Sequence, residues 1–256
     1  MSALRFASLG SGSRGNATLV ECGATLLMID CGFSVAETEV RMARLERSPQ
    51  DLSGILVTHE HGDHVAGLAR VARAFDVPVW LSKGTRAGLK DRGIPVVTEI
   101  VPGEPFAVDE IEVTPVGVIH DAREPTQYVL SNGVHRVGVL TDVGEVSPEV
   151  SAAYAALDAI LLECNHDLTM LQNGPYNNRL KKRVAGRYGH LNNGQAADLL
   201  RSVDCSRLQH VVCAHISEKN NTPELARAAL AEVLGCAGDW VGTAHQSRGL
   251  DWREVA

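Results

Sequence analysis

What the sequence lacks narrows what it can be. No apolar run approaches the ~18 residues that a membrane-crossing helix needs, so no membrane partner is expected. The opening residues "MSALRFASLG" enter a strand-like pattern without the regions of a signal peptide, which points to a cytoplasmic protein. None of the cysteines (Cys22, Cys31, Cys164, Cys205, Cys213, Cys236) forms a C-x-x-C pair. Most lie in apolar surroundings such as "HVVCAH" and read as reduced, buried small hydrophobes. There is no repeat, low-complexity tract or linker, and 256 residues suit one large α/β domain spanning 1–256. Positive charge is not in excess either: the formal net charge is -7. That argues against broad electrostatic adhesion to nucleic acid, but not against a local basic patch or a site whose carboxylates are neutralised by cations.

What is present is a series of short apolar segments punctuated by glycine and proline. Strands are expected at 4–9, 17–22 and 25–30, the last two joined by a tight Gly23-Ala24 turn. "GILVT" at 54–58 has the continuous apolar character of a strand covered on both faces. After His64 the period changes, with Val65, Leu68, Ala69, Ala72 and Phe75 at helical spacing. Further strands are expected at 78–81, 94–97, 111–119, 127–131, 136–141, 159–163 and 210–214. Asn193 can cap a helix through Leu200, and Thr222 with Pro223 opens another that Gly235 closes.

Gly10, Gly12 and Gly15 spell G-x-G-x-x-G, with Asp30 twenty positions after Gly10. A dinucleotide site needs the glycine turn to open a helix. Here "NATLVECGATLLMID" follows, rich in β-branched residues and broken by a turn, so a strand comes next and no nicotinamide or flavin cofactor is expected. The loop instead presents backbone N–H groups with Ser11, Ser13, Arg14 and Asn16, a chemistry suited to phosphate oxygens.

The strongest chemical signal is "THEHGDH". His59, His61, Asp63 and His64 place four donors within six residues, and imidazole with carboxylate suits Zn, Mn or Fe(II). Gly62 allows the sharp turn this convergence needs. Six residues cannot complete two metal shells, so further donors are sought at strand ends, where open α/β sheets build sites. His120 ends "VTPVGVIH", Asp142 ends "VGVLTD" and His215 ends "VVCAH".

This pattern, H-x-H-x-D-H followed by strand-end His, Asp and His, resembles the metallo-β-lactamase fold superfamily. The stretches "FASLGSGSRGNATLVE", "HDAREPTQY", "LLECNHD", "GRYGHLNNGQAADLL" and "HISEKNNTPELA" resemble the YycJ/WalJ group of bacterial nucleases, relatives of ribonuclease Z. The resemblance implies a four-layer αβ/βα sandwich, α/β (α+β) in class, with two divalent metal ions (Zn or Mn) at the sheet edge. It assigns His59, His61 and His120 to one ion, Asp63, His64 and His215 to the other, and Asp142 between them. Asp63 then also belongs to the catalytic set, and Asp30 supports the metal loop from behind. A hydroxide between two cations would be the nucleophile. The histidine at position 61 separates the chain from di-iron redox relatives, which resemble this pattern but carry glutamate there.

Ribonuclease Z also implies roles for His190 and Glu163, an imidazole that protonates the leaving oxygen and the carboxylate that orients it. His166 is close enough in sequence to substitute for either. Between them Arg179, Lys181, Lys182, Arg183 and Arg187 cluster in an otherwise acidic chain, with Tyr176 and Tyr188 nearby to stack on a base. The expected function is a 5′-to-3′ exonuclease on double-stranded DNA, with DNA favoured over RNA as the nucleic-acid partner. The same ligands serve glyoxalase II-like thioesterases and lactonases, which need neither the basic segment nor the Glu163/His190 pair. A non-catalytic binding module is the third reading, and retention of all seven ligand positions argues against it. His245 stands where the YycJ/WalJ group more often carries an acidic residue, and has no expected role.

Overall fold

Alternation explains why the N-terminal segments pair as they do. The computed structural model of the chain describes residues 2–256. In chain order its strands are β1 (Leu4–Gly10), β2 (Ala17–Cys22), β3 (Thr25–Ile29), β4 (Gly54–Leu56), β5 (Val79–Ser82), β6 (Val97–Ile100) and β7 (Phe106–Val108). They continue with β8 (Ile111–Gly117), β9 (Thr126–Ser131), β10 (Arg136–Leu140), β11 (Ala159–Glu163), β12 (His210–Ala214), β13 (Gly242–Thr243) and β14 (Leu250–Val255). The helices are α1 (Val35–Ala43), α2 (Gly62–Val65), α3 (Leu68–Phe75), α4 (Lys83–Gly88) and α5 (Pro148–Ala153). After them come α6 (Leu168–Asn173), α7 (Asn178–Val184), α8 (Asn193–Ser202) and α9 (Pro223–Leu234).

Successive side chains of a strand point to opposite faces. In β1 to β3, Leu4, Phe6, Val20, Leu27 and Ile29 turn one way, while Ala7, Leu9, Leu19, Leu26 and Met28 turn the other. Both sets are buried because both faces are covered. The first set packs against Ile111, Val113, Tyr128, Leu130, Val139 and Leu161 of a second sheet. The second set packs under α1 and α3 through Met42, Leu68, Val71 and Ala72. On the far side Ile160, Leu162, Val211 and Cys213 meet α5, α8 and α9. The result is the expected four-layer sandwich of helix, sheet, sheet and helix.

The two sheets mirror each other in plan. One runs β14-β1-β2-β3-β4-β5-β6, the other β13-β12-β11-β10-β9-β8-β7. Each is antiparallel in one half and parallel in the other, from β3 to β6 and from β10 to β13. The parallel strands end along one edge, where Thr126 N–H donates to Thr58 O at 2.9 Å across the sandwich. Tyr128 Oη, fully buried, donates to Val57 O at 2.7 Å beside it. These two bonds hold the facing sheet ends in register, and both open onto the segment carrying His59.

Local expectations shift in several places. The helix after His64 is two pieces, α2 and α3. The helix expected to be capped by Asn193 is capped one residue earlier, because Asn192 is extended and forms a capping box with Gln195. Asn193 turns inward and pairs with Asn221 at 3.0 Å. The strand expected at 94–97 lies at Val97–Ile100, since Pro95 has no N–H for the ladder. The strand expected at 111–119 stops at Gly117, where Val118 N–H turns to Pro125 O. Among the described residues no helix is long and apolar enough to cross a membrane.

Candidate metal centre and active site

The donor loop follows β4. Leu56 ends the strand, His61 caps α2, and His64 N–H returns to His61 O at 3.0 Å. Two neighbouring segments lace it from behind: Asn16 N–H donates to Asp63 O and Cys31 N–H to His64 O, both at 2.8 Å. This lacing requires Gly32, where a Cβ would lie 1.9 Å from Asp63 O. Gly62, expected to make the turn possible, sits in open space in the first turn of α2, and a Cβ there would meet nothing within 4 Å. The close approach therefore depends on a glycine thirty residues away in sequence.

Asp30 is the hub of this support. Its carboxylate accepts from Thr58 N–H at 2.8 Å and from the Thr58 hydroxyl, and lies 2.7 Å from His64 Nδ1. The Thr58 hydroxyl also lies 2.9 Å from His59 Nδ1. Asn16 Nδ2 stands 3.1 Å from His64 Nε2.

The second sheet presents one group per strand end. Asp142 follows β10, Glu163 ends β11, His215 follows β12, and His120 lies three residues beyond β8. Asp30, Asp142 and His215 have φ of 62°, 56° and 49°, a left-handed conformation that non-glycine residues adopt at some cost. Three parallel strands thus end on the same uncommon turn, which directs each side chain along the sheet edge. His120 Nδ1 donates to Gly189 O at 3.0 Å, leaving Nε2 to face the centre.

The groups converge. His64 Nε2 is 3.1 Å and His215 Nδ1 2.9 Å from Asp142 Oδ2, and His59 Nε2 is 3.0 Å from His61 Nδ1. Three donor sets have their ligand atoms within 4.8 Å of one another: His59/His61/His120, His59/His64/Asp142, and Asp142/Glu163/His190/His215. His120 Nε2, Asp142 Oδ2 and His215 Nδ1 are buried without a hydrogen-bond partner, although the last two are close together. Unpaired buried donor atoms converging in an imidazole and carboxylate set fit a divalent cation.

Burial is the largest influence on these groups and opposes charge on all of them. At His64 the carboxylates Asp30 and Asp142 outweigh it and hold the imidazole well above the ordinary histidine range. Asp142 likewise raises His215 to about 10. At His59 burial prevails, reinforced by His64, and the ring is driven well below that range.

Glu163 is fully buried and committed on both oxygens. Oε2 accepts from Val143 N–H at 2.9 Å and Leu191 N–H at 3.2 Å, while Oε1 lies 2.8 Å from His190 Nδ1. Burial opposes its ionisation, but His190 outweighs that and brings the carboxyl down to about 2. Burial also works against the His190 imidazolium, and Glu163 again prevails, raising that ring. His190, Asp63 and His215 open on a cleft of about 270 Å³ that also includes Ser13 and is bounded by Tyr176, Leu180 and Arg183 of the α6–α7 segment.

Other expected residues are differently placed. Ser11 and Asn16 are buried: the Ser11 hydroxyl accepts from His215 N–H at 2.8 Å, and Asn16 Oδ1 from Gly12 N–H at 2.8 Å. They tie the glycine loop to the site rather than facing outward. Ser13 lines the cleft, and Arg14 pairs with Glu218 at 2.6 Å. On the basic segment Arg183 pairs with Asp121 at 2.7 Å, Arg187 with Glu145 at 3.0 Å, and Lys181 donates to Gln172 O. Arg179 and Lys182 make no ion pair among the described residues. Asp121, which sequence reasoning missed, has its other oxygen 3.3 Å from His120 Nε2; its only signal is adjacency to His120. Tyr188 is exposed. His166 is fully buried behind the site, and His245 contacts Arg248 on a separate hollow.

Fold and donor geometry together define a class. The family model for the beta-lactamase superfamily domain matches residues 25–216, and the chain belongs to that family of metallo-β-lactamase-fold hydrolases. Its relatives include the exodeoxyribonuclease YycJ of Bacillus anthracis, 36% identical over 97% of this chain and 96% of that protein. The exodeoxyribonuclease WalJ of Streptococcus pneumoniae serotype 2 is 30% identical over 93% of this chain and 91% of its own. Among solved structures, the metallo-beta-lactamase fold protein YhfI from Bacillus subtilis superposes with a TM-score of 0.76 over 98% of this chain and 99% of its own, at 15% identity.

Proposed function

We propose that this enzyme is a two-metal exonuclease acting on double-stranded DNA from the 5′ end, with the whole of 1–256 as one catalytic domain. The observation that carries the reading is the Glu163–His190 pair, 2.8 Å apart, opening on the same cleft as the metal donors. His59, His61 and His120 would hold one ion, and Asp63, His64 and His215 the other, with Asp142 between them. Zn and Mn both suit these ligands. Bound there, divalent cations lower the pKa of water to supply a nucleophile and stabilise charge developing on a phosphoryl oxygen.

The chain's own residues do the rest. Asp63 and Asp142 carry the negative charge that attracts the cations, while Asp30 and Thr58 fix the rings of His64 and His59. Glu163 keeps His190 protonated, and His190 gives its proton to the departing sugar oxygen. Ser13 stands where the reacting phosphate enters, and Arg179 and Lys182, which face no carboxylate among the described residues, add salt-sensitive affinity for the phosphate backbone. The names of the YycJ and WalJ relatives support DNA as the polymer, and 5′-to-3′ polarity rests on the resemblance to that group. A thioesterase would have no use for an acid held by a buried carboxylate beneath a basic helix.

The test is cleavage of 5′-phosphorylated and 5′-hydroxyl duplex DNA, single-stranded DNA and RNA, each with Mn or Zn, beside a D63A control. Duplex DNA shortened progressively from its 5′ end by the wild type alone is the expected result. Thioester hydrolysis with every polynucleotide left intact overturns the reading.

A further inference from the structure

The cleft at the metal donors is small for a polynucleotide. Ligand sites usually occupy roughly 300–1,000 Å³, and the cleft of about 270 Å³ beneath the α6–α7 segment lies just below that range, enough for the reacting end of a strand but not for a run of nucleotides. The strand must continue over another surface. One hollow meets the cleft directly, because His61 belongs to the walls of both. It lies between α2–α3 and the end of α4 and has a volume of about 580 Å³.

Its chemistry is that of a strand path. Val65, Ala66, Ala69 and Leu89 give it an apolar wall, and Arg70 and Lys90 stand exposed at its rim. Neither cation makes an ion pair among the described residues, whereas Arg183 and Arg187 of the basic segment already face carboxylates. Of the carboxylates in the hollow, Asp91 is paired with Arg73 at 3.0 Å, while Glu60 is turned inward: Oε1 accepts from Arg123 N–H at 3.0 Å and Oε2 is buried, away from the rim where Arg70 and Lys90 stand. Beyond Leu89 a second hollow of about 560 Å³ carries Lys83, Arg86 and Arg92. Residues 83–92 thus hold four cations and one carboxylate in a chain of net charge -7.

We propose that this hollow binds a single-stranded DNA segment adjoining the scissile phosphate, with sugar and base against the Val65–Leu89 wall and phosphates at Arg70 and Lys90. An apolar wall matches an unpaired base and sugar, since a base pair keeps its base faces stacked inside the duplex. This proposal rests on the nuclease reading for its ligand, but its readout is separate.

The test compares wild type with R70E/K90E, and with R70Q/K90Q as the milder variant. Fluorescence anisotropy measures binding of a labelled eight-nucleotide single-stranded DNA across a salt series, and turnover of bis(p-nitrophenyl) phosphate checks the metal cleft. R70E/K90E is expected to weaken binding at least tenfold, with KM for DNA rising in parallel. R70Q/K90Q, by removing two phosphate contacts, should reduce the slope of log affinity against log salt by about 1.4 for a single strand. Unchanged affinity and slope in both variants overturn the proposal, as does a loss confined to blunt duplex. Failure of the wild type to cut any polynucleotide overturns the nuclease reading alone, because the binding measurement does not need cleavage.

Discussion

The two sheets supply the site in opposite styles. The first sheet places His59, His61, Asp63 and His64 in one six-residue loop, supported from behind by Asp30, Asn16 and Gly32. The second sheet sends one residue from each of four strand ends, His120, Asp142, Glu163 and His215, and supports them by the left-handed turns at Asp142 and His215. A loop concentrates donors but must be held in shape by its neighbours. Strand ends are held by the sheet itself, but their convergence depends on register across the whole sandwich. A site built both ways fails when either half moves, and the bonds from Tyr128 to Val57, from Thr126 to Thr58 and from His215 to Ser11 tie the halves together.

Five substitutions, two of them set against a contrasting variant, sharpen that contrast. Asp142→Asn removes a strand-end charge common to two donor sets, and kcat should fall on the order of 1,000-fold, with fewer metal ions per chain by elemental analysis. An equal loss for His61→Ala, a half-buried loop donor, would show that the strand-end group has no special weight. Glu163→Gln should lower kcat roughly 100-fold and change the pH profile. In the folded enzyme Glu163 raises His190 above the ordinary histidine value of 6.5, so the acid form persists to higher pH. Removing the negative charge lowers that pKa, and the alkaline limb of kcat should move to lower pH; a limb that stays in place means His190 is not the acid.

Asp30→Asn tests the loop's support. It should weaken metal affinity about 10- to 100-fold, with activity largely restored at high metal concentration. Tyr128→Phe deprives Val57 O of its partner across the sheets, and denaturant titration should show a loss of about 1–3 kcal/mol. Gly62→Ala should have the smallest effect, changing stability by no more than about 1 kcal/mol and in the favourable direction. Gly32→Ala provides the contrast, because it drives a methyl group into Asp63 O; equal thermal shifts for the two alanines would contradict the lacing of the loop.

Much was legible from local patterns. The β2–β3 turn at Gly23, the α9 cap at Thr222 and its stop at Gly235 depend on neighbouring residues alone, and the structure has them where the spacing puts them. The donor loop was equally clear because its residues are consecutive. Strand β14 was missed because it is an edge strand buried only at its ends, Leu250 and Val255, so it lacks the continuous apolar signature that marks β4, β11 and β12. The basic segment read as a cluster of five cations, and nothing in its sequence signals that partners 62 and 42 residues distant take Arg183 and Arg187.

By itself the sequence determined the kind of chemistry available, four donors of fixed type on a strand-to-helix turn, since consecutive residues keep their spacing in any compact fold. The sandwich class came from the resemblance that the H-x-H-x-D-H loop and its strand-end partners carry, and the apolar run at 54–58 required only a strand covered on both faces. Only the tertiary structure decided that Gly32 rather than Gly62 makes the loop possible, that Ser11 and Asn16 face inward, and that Asp121 pairs with Arg183. It also decided that the unpaired cations Arg70 and Lys90 border a hollow that shares His61 with the donor cleft. Each of these is a contact between segments far apart in the chain, and such contacts follow from how the layers pack rather than from local residue preference.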